Sequence, residues 1–289
     1  MLEAVLPVWD RDVERARLLA RSLEKYRIGI DRLWVVASES VLGTAAEIFH
    51  DVVPTVAVPE AELVPELRKW RTRLRPRLSG AARPGYRAQQ LIKLGAAQLV
   101  ESAFYLTLDA DIVVVGDVRD DWLIRDGRAR CVRFSGQGHR NWYGVASEVL
   151  ALPASRWEHG VTPCLLSRDC SLGLLTFLEQ PAEERDVDAA LQSKGDLTGR
   201  WRSLLLSRND WTEYTLYHTF VESASLFDRV HFAVEPNEWY GANVWSAGDW
   251  DSWRADQAFD TQAPHRFAVL GSKAGRSADW IAAELAPFL

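Results

Sequence analysis

The chain has 289 residues, enough for one large α/β domain with a substantial core. A hydrophobic fraction of 47% and a charged fraction of 26% exclude a disordered scaffold, a collagen-like fibre and a disulfide-stapled mini-protein. With 34 Lys and Arg against 40 Asp and Glu, the net charge of −6 gives no support to a general nucleic-acid binder.

The apolar run Val5 to Val8 predicts a first short strand. Asp10 then opens an amphipathic stretch through Lys25, with Val13, Ala16, Leu19 and Leu23 at helical spacing. Leu33 to Ala37 predicts a second strand, Ser38 or Ser40 can start a helix, and Val52 to Val58 predicts a third strand carrying Pro54. This is a βαβαβ start, the pattern of a mostly parallel sheet covered by helices. Between Glu66 and Arg87 the basic residues Arg68, Lys69, Arg71, Arg73, Arg75, Arg77, Arg83 and Arg87 crowd together, and Pro76, Gly80, Pro84 and Gly85 break regular structure. Most such charge runs are solvated faces, although this one could also rest on an anionic membrane surface. RAQQLIKLGAAQLV predicts a strong helix, Phe104 to Leu108 a strand ending in Asp109-Ala110-Asp111, and Ile112 to Val115 and Ala129 to Phe134 two more strands.

Beyond Gly136 the pattern loosens. Pro163 to Ser167 predicts a short strand, and Leu172 to Leu178, Val187 to Gln192 and Trp211 to Ser223 predict helices, the last with Asn209 and Asp210 as capping candidates. A strand at Arg266 to Leu270 and a helix from Ser277 close the chain. No repeat, low-complexity tract or linker divides it, so a single domain over 1–289 is expected. No apolar run approaches the ~18 residues of a spanning helix. The opening MLEAVLPVWDRD lacks the basic and long apolar regions of a signal peptide, which predicts a cytoplasmic protein. The odd set Cys131, Cys164 and Cys170 reads as buried thiols rather than a disulfide framework.

The acidic pair carries the strongest chemical signal. Two carboxylates one residue apart, at the end of an apolar strand, sit where open α/β sheets bind their ligands. Both can reach one hard divalent cation that keeps positions free for substrate phosphates. Asp109 and Asp111 are therefore the candidate metal ligands, for Mn²⁺ or Mg²⁺.

Gln89-Gln90-Leu91-Ile92-Lys93-Leu94, followed by an aromatic-rich strand ending in Asp109-Ala110-Asp111 and later by Trp211 to Tyr217 (Trp-x-Glu-Tyr-x-x-Tyr), resembles metal-dependent nucleotide-sugar glycosyltransferases of the GT-A fold. In particular it resembles a bacterial GT-A-like group of undefined substrate. The resemblance spans residues 85–220 and implies an α/β, Rossmann-like fold with a mostly parallel central sheet flanked by helices. Residues 1–135 would form its nucleotide-binding half and 136–289 its acceptor half. It further implies a UDP- or GDP-sugar donor and a hydroxyl acceptor such as a saccharide, lipid-linked sugar or small metabolite.

Under that resemblance Asp109 contacts the ribose or the metal, and Asp111 holds the metal against the diphosphate. Trp9 and Asp10, after the first strand, would hold the nucleobase, although Asp10 could equally be a helix cap. Gln89, Gln90 and Lys93 share a helix face and could bind sugar hydroxyls and phosphate, with Arg87 beside them. Glu213 takes the place of the acidic base of inverting GT-A enzymes, with Asp210 as second choice. His265 stands as third metal ligand and Lys273 in a turn that closes over phosphate, although the family's His-x-x-Gly-x-x-Lys spacing is absent. His159 could line the acceptor pocket, Arg83 could meet an anionic acceptor, and the late cluster Trp239, Tyr240, Trp245, Trp250 and Trp253 suits sugar stacking or loop anchoring.

Two other classes fit parts of the pattern. Asp109-Ala110-Asp111-Ile112-Val113 also satisfies the nucleophile pattern of haloacid-dehalogenase phosphatases, but that motif normally ends the first strand and three predicted strands precede it here. A non-catalytic carbohydrate-binding protein on the same fold is the second.

Overall fold

The computed structural model describes residues 1–68, 84–136, 138–193, 196–208 and 210–289. Most of the basic segment, including Arg83, and the capping candidate Asn209 lie outside them. β1 (Glu3–Val8), α1 (Val13–Lys25), β2 (Arg32–Ala37), α2 (Glu39–Glu47) and β3 (Thr55–Pro59) form the βαβαβ start. α3 (Pro84–Gly95) leads to β4 (Phe104–Thr107) and β5 (Ile112–Val114), and β6 (Ile124–Arg125) turns back into β7 (Arg128–Phe134). Then follow α4 (Arg140–Leu150), β8 (Glu158–His159), β9 (Cys164–Ser167), α5 (Arg168–Glu179), α6 (Val187–Gln192), α7 (Arg200–Leu206), α8 (Glu213–Ser223), β10 (His231–Val234), β11 (Phe267–Val269) and α9 (Ala278–Leu285).

The main sheet has the order β3-β2-β1-β4-β9, in which β1, β2, β3 and β4 run parallel and β9 is antiparallel to β4. Strand residues alternate between two apolar clusters as a period of two requires. Val5, Tyr105 and Leu166 face the side covered by α3, α5 and α8, while Ala4, Leu6, Leu106 and Leu165 face the side of α1 and α2. Burial on both faces explains why these strands read as continuous apolar runs. A smaller sheet joins β10, β7 and β6 with β8 beside β7, and β5 pairs antiparallel with β11. Strands from beyond residue 136 thus pair with earlier ones in all three sheets.

The chain moves outward from β1 to β2 to β3, then returns to β4 on the other side of β1. The β1/β4 boundary is therefore a topological switch point, where the loops leaving two neighbouring parallel strands diverge and open a crevice. Trp9 to Asp12 leaves β1 there, and Leu108 to Asp111 leaves β4.

Two expected caps are corrected. Asp10 starts a short 3-10 turn, Asp10–Asp12, and its side chain caps nothing. Asp210 lies at a left-handed φ of 61°, two residues before the cap of α8. That cap is Thr212, whose hydroxyl accepts the Thr215 N–H at 3.0 Å while the Thr215 hydroxyl accepts the Thr212 N–H at 3.2 Å. The β6–β7 turn, Asp126-Gly127, has left-handed φ at both residues, the two-residue hairpin geometry that favours Asp-Gly. All three cysteines are buried and free. No helix among the described residues is long and apolar enough to cross a membrane.

Candidate functional site

A cavity of about 540 Å³ opens at the β1/β4 switch point. β1 contributes Trp9, Arg11 and Asp12 through the loop that follows it, and β4 contributes Asp109, Ala110 and Asp111. α3 lays Gln89, Gln90 and Lys93 along one wall, one helical turn apart as their spacing requires. The first turn of α8 adds Glu213 and Tyr214, and the loop after β11 adds Ser272 and Lys273.

Lys93 is the centre of this arrangement. It is 3% exposed, and its Nζ lies 2.8 Å from Asp109 Oδ1 and 3.0 Å from Glu213 Oε1. It also donates to the Tyr214 hydroxyl at 3.2 Å, which meets Thr107 Oγ1 at 2.9 Å. Burial alone would pull the ammonium's pKa down, yet Asp109 and Glu213 together hold it well above the ordinary lysine value. The Glu213 carboxyl is pushed up by burial and by Asp109, against the pull of Lys93.

A second group of charges surrounds the acidic pair. Asp111 Oδ2 accepts the Ser272 N–H at 2.7 Å. Burial and then the Asp109 charge push its pKa up to about 6, opposed by that hydrogen bond and by Arg15. Asp12, 8% exposed, is raised by burial and by Asp109, against Arg11 and Arg15. Arg15 is fixed by the Leu270 and Arg276 carbonyls, each 2.7 Å from its guanidinium.

Three mutually repelling carboxylates with no sulfur or imidazole among them form a hard-oxygen donor set that suits Mg²⁺ or Mn²⁺. A divalent charge would relieve the repulsion that raises Asp12 and Asp111. Among the described residues no three His, Cys, Asp or Glu side chains converge on a ready-made metal position. The residues present fit such a cation as a partial donor set with positions left open.

The structure brings Trp9, Gln89, Gln90, Lys93, Asp109, Asp111, Glu213 and Lys273 to this cavity and leaves four expected residues outside it. Asp10 points to solvent, because the 3-10 turn carries Asp12 inward in its place. Asp210 is exposed and precedes the capped turn that holds Glu213. Arg87 donates to the Leu206 carbonyl at 3.2 Å, which turns it toward α7. His265 donates from Nε2 to the Ala258 carbonyl at 3.0 Å, and Gly241 packs so closely on its ring that a Cβ there would come within 2.3 Å of Nε2. It does not line the cavity.

Aromatic residues line much of the rest of the cavity. Trp142 stacks on His139 at 4.8 Å between centroids, and His159 lines the cavity with both ring nitrogens engaged, by Tyr143 at 3.0 Å and Glu222 at 3.2 Å. The late tryptophans divide. Trp239, Trp250 and Trp253 are buried and donate to the Pro163, Ala274 and Ala242 carbonyls, whereas Trp245 is 50% exposed and lines the cavity. Lys273 sits 4.7 Å over the Tyr86 ring at the rim. The sequence reading missed Asp12 and Tyr86, and the acidic residue two positions after Asp10 was the available signal for the first.

The family of unknown function DUF6492 matches residues 1–289, the whole chain. The chain belongs to that family. No curated protein matches it. Among solved structures, an active-site mutant of LgtC aligns with a TM-score of 0.53 at 8% identity, covering 99% of this chain and 95% of that one. Mouse xyloside xylosyltransferase 1, apo form, gives 0.50 at 11% identity over 93% and 96%. Galactosyltransferase LgtC with donor and acceptor sugar analogs gives 0.49 at 9% identity over 99% and 96%. The fold of this DUF6492 chain is that of the GT-A glycosyltransferases.

Proposed function

We propose that the chain is a glycosyltransferase that moves a sugar from a nucleotide-diphosphate donor to a hydroxyl acceptor with the aid of Mn²⁺ or Mg²⁺. The observation that carries this reading is the meeting of Asp12, Asp109 and Asp111 at the switch point of the sheet, beside a buried Lys93–Glu213 pair in one cavity. Asp109 and Asp111 would hold the cation, which when bound stabilises the charge of the departing diphosphate. Arg11 and Lys273 at the rim supply further positive charge for phosphate, and Trp9 offers a flat face to the base. Residues 1–135 chiefly form the donor half and 136–289 the acceptor half.

In the transfer, the bond from the anomeric carbon to the diphosphate oxygen breaks and leaves its electron pair on the diphosphate. The acceptor oxygen forms the new bond and gives its proton to Glu213, which corresponds to inversion. A carboxyl whose affinity for a proton is raised by burial is a better base than an exposed one. Lys93 holds that carboxylate in place and keeps Asp109 oriented.

The decisive experiment is calorimetric titration of UDP and of GDP with Mn²⁺, Mg²⁺ or EDTA, on wild type and on Asp111→Ala. Metal-dependent binding that disappears in the variant is expected, and it also identifies the base. Binding to neither nucleotide, or equal binding by the variant, would overturn the site. Release of phosphate from simple phosphomonoesters would then favour the phosphatase class, and nucleotide binding without transfer to any acceptor the carbohydrate-binding class.

A further inference from the structure

Two polar side chains lining the cavity are buried without a partner. Gln90 is 2% exposed, and neither its amide nitrogen nor its amide oxygen has a hydrogen-bond partner among the described residues. Thr162 is 6% exposed, and its hydroxyl is likewise unpartnered. They reach the cavity from different elements, Gln90 from α3 one turn before Lys93, and Thr162 from the segment between β8 and β9. Buried polar groups are otherwise satisfied almost everywhere in folded proteins, and a side-chain amide left open presents two donors and an acceptor at one point. An uncharged ligand rich in hydroxyls, each both donor and acceptor, matches that set.

The surrounding charges narrow the ligand further. Among the described residues lining the cavity the cations are Arg11, Lys93 and Lys273. Lys93 already lies between Asp109 and Glu213, and the other two are exposed on the loops after β1 and β11. A carboxylate on the transferred sugar would enter a cavity already lined by Asp12, Asp109, Asp111 and Glu213, whose buried lysine is taken up by two of them, an arrangement that low dielectric penalises.

We infer that the transferred sugar is a neutral pentose or hexose, not a uronic or sialic acid, and that Gln90 and Thr162 recognise its hydroxyls. This rests on the glycosyltransferase reading. It assigns a specificity role to a pair of side chains that the fold itself leaves unused.

The test uses the full chain with Mn²⁺ and whichever of UDP or GDP it binds. Calorimetry compares that nucleoside diphosphate, its neutral hexose conjugate and its hexuronic acid conjugate on wild type, Gln90→Leu and Thr162→Val, and the melting temperature of each protein is recorded. Wild type should prefer a neutral conjugate over the uronic acid by about tenfold or more. Each variant should lose about tenfold in affinity for the neutral conjugate while holding the nucleoside diphosphate as before. Gln90→Leu should melt no lower than wild type, since a side chain with no protein partner contributes none of its hydrogen bonds to the fold.

Equal or tighter binding of the uronic acid overturns the inference, as does undiminished binding of the neutral conjugate by both variants. A large fall in melting temperature in Gln90→Leu would make Gln90 structural and also overturn its assignment, with Thr162→Val and the wild-type comparison still reading the sugar class. Failure of the wild type to bind either nucleoside diphosphate is a different result, because it removes the parent reading itself.

Discussion

Two buried polar networks meet α8, and they resolve the same problem in opposite ways. At its first turn Glu213 and Tyr214 join Lys93 and Asp109 in a network that keeps formal charge. Further along, His218 stacks on His159 with centroids 3.9 Å apart, and His231 Nε2 accepts from the Tyr217 hydroxyl at 2.9 Å while its Nδ1 donates to the Ala129 carbonyl. Burial lowers the pKa of all three histidines, His218 well below its ordinary value and His231 to about 3. Lys93 is raised instead. The difference is counter-charge: two carboxylates lie within 3.0 Å of Lys93, whereas among the three histidines His159 alone meets a carboxylate at ion-pair distance, Glu222, itself shared with Arg133 at 3.1 Å. A buried ammonium keeps its charge here because carboxylates lie beside it, whereas the stacked imidazoles stay neutral for want of comparable counter-charge.

Lys93→Met breaks this contrast most severely. It leaves the buried Glu213 and the half-buried Asp109 without their cation and should cost about 3 kcal/mol in urea denaturation, with part recovered when Glu213→Gln is added. An unchanged midpoint would show that water enters the network freely. Glu213→Gln alone should slow transfer by about a hundredfold with donor affinity nearly unchanged. A loss confined to donor affinity would refute its role as base.

The neutral network predicts a pH response of definite sign. Between about pH 3 and the ordinary value of 6.5, the unfolded His231 binds a proton that the folded one does not. Its contribution is fully present above pH 6.5 and is lost as pH falls toward 3. Denaturation midpoints should therefore decline across that window, and in His231→Gln the decline should be shallower. The smallest effect belongs to the aromatic wall. Trp245→Ala should change stability by less than about 0.5 kcal/mol, since that ring is half exposed, whereas Trp239→Ala should cost about 3–5 kcal/mol by denaturation.

Local signals made the framework readable. Apolar runs bounded by turn residues marked β1, β2 and β4, and the acidic pair marked the edge where the cavity opens. The Asp126-Gly127 hairpin carried a signal as plain, but it went unused. The misplacements have non-local causes. Asp10 and Asp12 are equivalent in composition, and only a 3-10 turn, one residue tighter than an α-turn, decides which faces inward. His265 is held outside the cavity by contact with Ala258 and Gly241, neither of which is marked in the sequence as its neighbour. Lys93 was recognisable by its place on α3, but its partner Glu213 lies on another helix far along the chain. The unsatisfied state of Gln90 is invisible until every neighbour is in position.

The antiparallel strand β9 has a consequence for synthesis. β4, which carries the acidic pair, is paired by β1 on one side and by Cys164–Ser167 on the other. A nascent chain that ends before residue 164 holds β4 as an open edge, whose unpaired backbone can recruit another chain. Fragments stopping there should aggregate, and those extending past β9 should be markedly less prone to it. The ribosome thus completes the platform for Asp109 and Asp111 only after it has delivered a strand from the far half of the molecule.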